Sequence, residues 1–423
     1  MPERDENYIR RLIDRSGLNP RDYFDEIRHG NKQKEYPYGS GVFMWSDFIL
    51  PGFPSGLAVS LREGMTDLFE LPKWLKKSIG LNNLFLKMEG QNPSGSFKDR
   101  GMPVAVSWAR YQQECYPELG IIATACASTG DTSASASKYT SYHRNKLRCV
   151  VFLPFEKIAL GQLAQAMMSQ AIVIAVKHPT QPGFDSCMKL IGEFCSKYPK
   201  FVMVNSANAF RIIGQESIAL EICQDFGWNA PDWIAIPCGN GGNLTALMLS
   251  LLRQRQHGLI DRLPGIIVGQ TKNSNPLVRW AESGFRKYEA LKKEPISVAS
   301  AMDIQDPVSF SRIKRLFGNF DMLFYDVGEQ EINETGAIFN GAGADVCPQG
   351  AVAIRAVLQA RMDNKVKEND TIAAMVTATN LKFIDSAVKY HMSAGEVSES
   401  SLVNPYRLAT TGTVEEIANL VGL

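Results

Sequence analysis

The sequence predicts an α/β protein of two lobes, each with a mainly parallel sheet flanked by helices, preceded by an amino-terminal arm. Three observations carry this. Eight short apolar runs bounded by Gly, Pro or Asn read as strands. Longer stretches between most of them carry apolar residues three and four apart, as at Met188, Ile191 and Cys195 or Ile218 and Ile222. The chain has 423 residues, 45% hydrophobic and 21% charged, enough for two or three domains with sizeable cores. Strands alternating with helices build parallel sheets covered on both faces.

In chain order, residues 1–55 form the arm. It alternates charged helical stretches with the turn-rich piece Tyr36-Pro37-Tyr38-Gly39-Ser40-Gly41, and ends in an aromatic-rich run at 42–50. That run carries more apolar surface than a free tail should, so the arm is expected to pack on the large lobe and contribute to a homodimer. Strands are expected at 84–88, 120–125, 149–153, 172–176, 201–204, 233–236, 266–269 and 371–376. Four strand–helix units in quick succession assign 111–205 to a smaller domain, leaving 56–110 and 206–423 to the larger one. No flexible linker separates them, so they should share a long interface with a ligand cleft between them.

Composition excludes several classes of function. The 45 Lys plus Arg against 44 Asp plus Glu leave a net charge of +1, with no basic field for nucleic acid. No run of eighteen apolar residues occurs, so no membrane span is expected. Residues 1–7 are mixed in charge and lack an apolar core, which points to the cytoplasm. The eight cysteines include no C-x-x-C pair and read as small buried hydrophobes in a reducing compartment. The five histidines lack i, i+4 spacing, so no metal site is expected.

The most informative stretch is Gln91-Asn92-Pro93-Ser94-Gly95-Ser96-Phe97-Lys98-Asp99-Arg100-Gly101. It follows a strand, and Asn92-Pro93 and Gly95 delay the next helix. Lys98 then falls in a first helical turn at the carboxyl end of a strand, where open α/β sheets place ligands. The helix dipole disfavours a cation there, which makes sense for an amine that is neutral or consumed in a covalent bond. Taken alone, such a lysine reads as a solvated helix residue; two further elements change that. Ala127-Ser128-Thr129-Gly130-Asp131-Thr132-Ser133 follows the next strand, its small hydroxylated residues letting backbone N–H groups converge on an anion. Pro237-Cys238-Gly239-Asn240-Gly241-Gly242-Asn243-Leu244 follows another, and three glycines in four positions make a phosphate cradle. It is neither a nucleotide P-loop, lacking G-K-[ST], nor a dinucleotide fingerprint, because Leu244 occupies the last glycine position.

Together these residues resemble the pyridoxal-phosphate enzymes of the tryptophan synthase β-subunit fold, fold type II, and within it the plant-type threonine synthase family. The resemblance runs from about residue 60 to 382. It includes Ser96 to Asp99, Ala127 to Ser133 and the stretch 158–165. It continues through Phe184-Asp185-Ser186-Cys187, then Asn205-Ser206-Ala207-Asn208 with Arg211 and Gly214-Gln215, and Asp232-Trp233 before the glycine loop.

The resemblance implies pyridoxal 5'-phosphate as cofactor and a small phosphorylated amino acid as substrate. The reaction would convert O-phosphohomoserine and water to threonine and phosphate. Lys98 would bind the cofactor covalently and act as acid and base, with Phe97 lowering the local polarity. Asp131 and Gly239, Asn240, Gly241, Gly242 and Asn243 would hold the cofactor, and Thr377 would meet its pyridine nitrogen. Thr132, Asn205, Ser206, Arg211 and Asn243 would bind the substrate phosphate, with Ser128 and Thr129 near its carboxylate. A lyase or replacement enzyme acting on another activated amino acid would share every cofactor residue. The chain departs from the family pattern at Met65 and Asp67, at Gln349, where Cys-Pro-His becomes Cys347-Pro348-Gln349, and at Thr379 and Asn380.

Overall fold

The computed structural model describes residues 6–30, 39, 41–128, 130–142, 145–155, 160–177, 184–292, 296–393, 402–405 and 407–422. Most of the turn at 36–41, Thr129 and residues 158 and 159 of the matched stretch 158–165 lie outside them. The described residues form strands β1 (Leu68–Glu70), β2 (Asn83–Met88), β3 (Ala123–Ala127), β4 (Arg148–Pro154) and β5 (Ile172–Val176). The remaining strands are β6 (Phe201–Met203), β7 (Trp233–Pro237), β8 (Gly265–Thr271), β9 (Met322–Val327) and β10 (Thr371–Val376). They build a six-stranded sheet, β1-β2-β10-β7-β8-β9, and a four-stranded sheet, β5-β4-β3-β6. Every pairing is parallel except β1 with β2.

Burial explains which strands the sequence announces. Ile372 to Val376 of β10 and Ile234 to Pro237 of β7 are all buried, so the central strands read as unbroken apolar runs. β1 and β9 were not anticipated. They are the two edges of the larger sheet; β1 has only three residues, none buried, and β9 buries only Val327. β3 begins at Ala123 instead of 120, because Gly120 adopts φ +59° to close the 3-10 turn Pro117–Leu119.

The arm packs against the body of the chain. Its helices Glu6–Ser16 and Pro20–His29 bury Ile9, Ile13, Tyr23, Phe24 and Ile27. Pro20 and Asn19, whose side chain accepts the Asp22 N–H at 3.0 Å, start the second helix. Val42 to Leu50 are all buried, with Trp45 edge-on to Trp228 at 6.4 Å between centroids. Glu6 reaches Arg253 on the helix Gly242–Gln256 at 2.9 Å and His257, just past its end, at 2.7 Å. The apolar run that argued for a dimer surface is therefore consumed within the chain.

A single hydrophobic core runs from the arm through the helix Lys98–Cys115 into the smaller sheet, joining Trp45, Met102, Val106 and Val151. Two glycines let backbones touch where that helix crosses the helix Ala209–Gln215. A Cβ on Gly101 would stand 2.4 Å from the Arg211 carbonyl oxygen, and one on Gly214 would stand 2.2 Å from that of Arg100. Only glycine at both positions permits this approach.

Beside the crossing, Arg100 is fully buried between two carboxylates: its guanidinium meets Glu89 at 2.7 Å and forks onto Glu221. Glu221 also holds Lys87 at 3.1 Å, and Lys87 reaches Asp225, which pairs with Arg28 of the arm at 2.8 Å. Burial alone would raise the Glu221 carboxyl, but Arg100 and Lys87 outweigh it and hold the group well below the usual range. Removing one member of such a buried set leaves uncompensated charge, worth about 3–5 kcal/mol. Glu221→Leu is expected to lower the urea unfolding free energy by about that amount. Because the native carboxyl is depressed, the wild-type advantage should be complete at neutral pH and fade as acid protonates the group, with the two proteins converging at low pH.

Candidate active site

Three neighbouring parallel strands of the larger sheet, β2, β10 and β7, end at one edge. β2 leads through the turn Glu89–Gln91 to Lys98, β7 runs into the glycine loop, and β10 delivers Thr377. Facing them, the adjacent strands β3 and β6 of the smaller sheet deliver residues 128–132 and 205–211. A cavity of about 490 Å³ lies between, the size of a small-molecule site. Lys98, Thr377, Asp131, Arg211 and the whole run Gly239 to Asn243 line it, as do Ser128, Thr132, Asn205 and Ser206. Sequence positions spanning 98 to 377 thus meet in one place. Thr129 lies outside the described residues.

Local backbone contacts set the position of Lys98. Gly95, at φ +82°, turns the chain; its carbonyl accepts the Thr379 N–H at 3.0 Å, and the Phe97 N–H donates to the Thr377 carbonyl at 2.9 Å. The lysine and the threonine are thereby fixed relative to one another before any side chain is considered. Lys98 is half-buried at the first position of its helix. Burial first, then the cation of Arg211, lower its ammonium to about 7 against the pull of Asp131, with Lys382 adding to the lowering. The Phe97 ring was expected to favour the neutral amine through low polarity. Instead Nζ sits 3.9 Å over its centroid, a contact that favours the cation; the lowering comes from burial and the neighbouring cations.

The glycine loop caps the fifteen-residue helix Gly242–Gln256, presenting unpaired N–H groups where the helix dipole is positive. Gly241 has φ +74°, and a Cβ there would meet Ile313 Cδ1 at 2.5 Å. The loop is braced from outside: the Asn240 carbonyl accepts the Ser309 N–H at 3.1 Å. Asn243 donates to the Met375 sulfur at 2.9 Å and lines the cavity floor.

On the other side, Arg211 is 1% exposed and makes no ion pair among the described residues. Glu216, the neighbour that could have neutralised it, pairs with Arg253 at 2.9 Å. Arg211 donates to the Val204 carbonyl at 3.2 Å, while its Nε has no hydrogen-bond partner. Burial lowers it to about 10, partly opposed by Cys126 and Asp99. Gln215 Oε1, also buried and unpartnered, faces the same cavity one helical turn on.

Other expected residues are already engaged. The Asn205 side chain accepts the Ala127 N–H at 2.9 Å and donates to its carbonyl at 2.6 Å, tying the β6 end to β3. Ser128 Oγ accepts the Gly130 N–H at 2.9 Å. Asp131 forms an ion pair with Lys382 at 2.9 Å across the two lobes. Gln215 and Lys382 were not singled out from sequence, although both lie in or beside matched motifs. Nor was the segment 296–304, whose Ser297, Ser300 and Asp303 line the cavity and which carries no recognisable motif.

The arrangement fits a phosphorylated aldehyde cofactor: a cradle of glycine N–H groups, an amine held near neutrality and a hydroxyl opposite, with orphaned polar atoms around them. Comparison agrees. The model of the pyridoxal-phosphate dependent enzyme family matches residues 59–378. A chloroplastic threonine synthase 2 of Arabidopsis thaliana is 35% identical over 88% of this chain and 70% of its own. The threonine synthase of Methanocaldococcus jannaschii is 34% identical over 82% of each chain.

The chain belongs to the pyridoxal-phosphate dependent enzymes, in the threonine synthase family.

Among solved structures, threonine synthase from Escherichia coli superposes with a TM-score of 0.64 at 18% identity, covering 100% of this chain and 87% of that one. Maize serine racemase gives 0.61 at 16% identity, covering 78% and 94%. These establish fold type II; pyridoxal phosphate is the cofactor of the matched family.

The departures from the family pattern separate by position. Met65, Asp67, Thr379 and Asn380 do not line the cavity, whereas Gln349 does. Met65 donates its N–H to Glu221, Asp67 bonds Gln91, and the Asn380 N–H bonds Asp345.

A depressed lysine penalises folding while it is charged. The native state binds fewer protons than the unfolded chain between about pH 7 and 10.5, so stability should rise through that window. Lys98→Met removes the penalty. In the cofactor-free protein it is expected to raise the thermal midpoint below pH 7, with the gain shrinking toward pH 10, measured by unfolding across that range.

Proposed function

We propose that this chain is a threonine synthase, converting O-phosphohomoserine and water to threonine and phosphate. The carrying observation is an arginine in the wall of the same cavity as the glycine cradle: Arg211 is buried and makes no ion pair among the described residues. An enzyme dehydrating free serine or threonine has no use for it. A fork of N–H donors suits a phosphate.

The roles follow. Gly239 to Asn243 cradle the cofactor phosphate; Thr377 meets the ring nitrogen with a hydroxyl, which does not enforce ring protonation. The cofactor supplies an electron sink when bound. Lys98 carries protons to and from the substrate carbons, which a group near pH 7 does efficiently. Arg211, Thr132 and Ser206 hold the substrate phosphate as it leaves, and Ser128 and Thr129 its carboxylate. Asn205 acts through its grip on Ala127. Asp131 acts through Lys382, keeping the smaller domain, 111–205, closed on the larger one, 56–110 with 206–423.

We place the enzyme in the cytoplasm, in keeping with eight free cysteines, and among the described residues no helix is long and apolar enough to cross a membrane. We propose a homodimer that uses a face other than the buried run 42–50. Leu381, Ile384 and Val388 remain exposed and offer apolar surface. Sedimentation at micromolar concentration is expected to give twice the 46.8 kDa chain mass; a monomer would refute the dimer.

The reaction is tested by incubating the holoenzyme with O-phosphohomoserine and measuring phosphate and threonine together. Phosphate release without threonine would instead favour a lyase. Arg211→Ala should retain the cofactor and still respond spectrally to an amino acid lacking phosphate. It should nevertheless lose about 100-fold or more in kcat/KM on the phosphorylated substrate, as expected for a charge-assisted contact to a desolvated dianion. Activity within a few-fold of wild type would remove the phosphate role of Arg211.

A further inference from the structure

Gln349 is the one departure from the family pattern that lines the cavity. It sits in the first turn of the helix Pro348–Met362 and is 4% exposed. Among the described residues neither its Oε1 nor its Nε2 has a hydrogen-bond partner. Leaving both ends of a carboxamide dry is unfavourable, and buried polar groups are paired as a rule. Such a side chain, in the wall of a cavity, gains a partner when a bound group reaches it.

Its place in the cavity is set by its neighbours. The preceding Cys347 caps the helix, accepting the Gly350 N–H at 3.3 Å, and its sulfur lies 3.8 Å from Thr377 Oγ1. On the other side, a Cβ on Gly350 would stand 3.1 Å from Val376 Cγ1, so the helix start is pressed against the end of β10. Gln349 is therefore held at the Thr377 end of the cavity. The cradle, at the end of β7, serves a phosphate, so the Thr377 end serves the ring.

We propose that Gln349 contacts the ring end of bound pyridoxal phosphate beside Thr377, its amide donating or accepting a hydrogen bond without carrying charge. Lys98 and Arg211 line the cavity together with the carboxylates of Asp131 and Asp303, and Lys382 pairs with Asp131 beside it. An amide adds polar contact there without changing that balance of charge. This rests on the reading of Thr377 as the ring partner.

The test compares wild type with Gln349→Leu and Gln349→Met, each stripped of cofactor and titrated with pyridoxal phosphate, following absorbance. Both variants remove an unpaired amide from a buried position, so their cofactor-free thermal midpoints should equal or exceed that of wild type. Their affinity for pyridoxal phosphate should nevertheless fall about tenfold, the worth of one hydrogen bond. The same fall with pyridoxal, which lacks the phosphate, would locate the contact at the ring. Affinity within twofold of wild type in both variants would overturn the proposal, as would a fall confined to the phosphorylated form. Methionine keeps the side-chain length and covers the case in which leucine packs poorly. Failure of wild type itself to bind pyridoxal phosphate would overturn the cofactor reading instead, a separable result.

Discussion

Buried Arg100 is the constraint on which the rest of the site depends. It lies two residues after Lys98, and its guanidinium is fixed by Glu89, which follows β2, and by Glu221 on another helix. A guanidinium taken out of water tolerates little misplacement, because each lost contact leaves a charge unsolvated. Its position therefore sets the start of the Lys98–Cys115 helix, and the Gly101–Gly214 crossing then brings Arg211 beside it. Lys98 and Arg211, the lysine and arginine of the proposed site, are thus parts of one packing solution. Lys87, Asp225 and Arg28 extend the same network to the arm, so the arm supports the floor on which Lys98 stands.

The cavity is electrostatically incomplete by itself. Arg211 makes no ion pair among the described residues, and the Lys98 ammonium is lowered to about 7. A buried guanidinium without a counterion is costly, and an anion bound beside it would relieve that cost. Lys382 and Asp131 partly offset this by pairing with one another across the cleft. Burial lowers the Lys98 pKa most, and Arg211 and Lys382 add to it.

The sequence was legible where burial is extreme and where backbone needs are special. β7 and β10 have long apolar runs because both faces are covered, and they appeared at nearly their observed limits. The glycine loop and the residues before Lys98 stood out because φ values near +80° and close approaches exclude other residues. The edge strands β1 and β9 were invisible, since a half-exposed strand has no distinctive run. Asn205 illustrates a different limit: residue type marked it as a polar site group, but only coordinates reveal that its amide is spent on Ala127. The aromatic run 42–50 was correctly seen as needing a partner; the partner is the chain's own core.

Fold alone does not decide the reaction. A racemase and a threonine synthase superpose on this chain with nearly equal scores at 16% and 18% identity. A shared fold can carry different reactions, because function lives in the site grafted on it. What distinguishes one member from another must lie at the cavity's far end, where the substrate's own groups are held. Here that end presents a buried arginine without a counterion, which favours an anion over any neutral side chain. Most departures from the family pattern fall outside this space; their backbone N–H groups bond Glu221, Gln91, the Gly95 carbonyl and Asp345. Gln349 is placed where drift would be felt, and its two free polar atoms are the feature by which this chain's cavity differs from the family pattern.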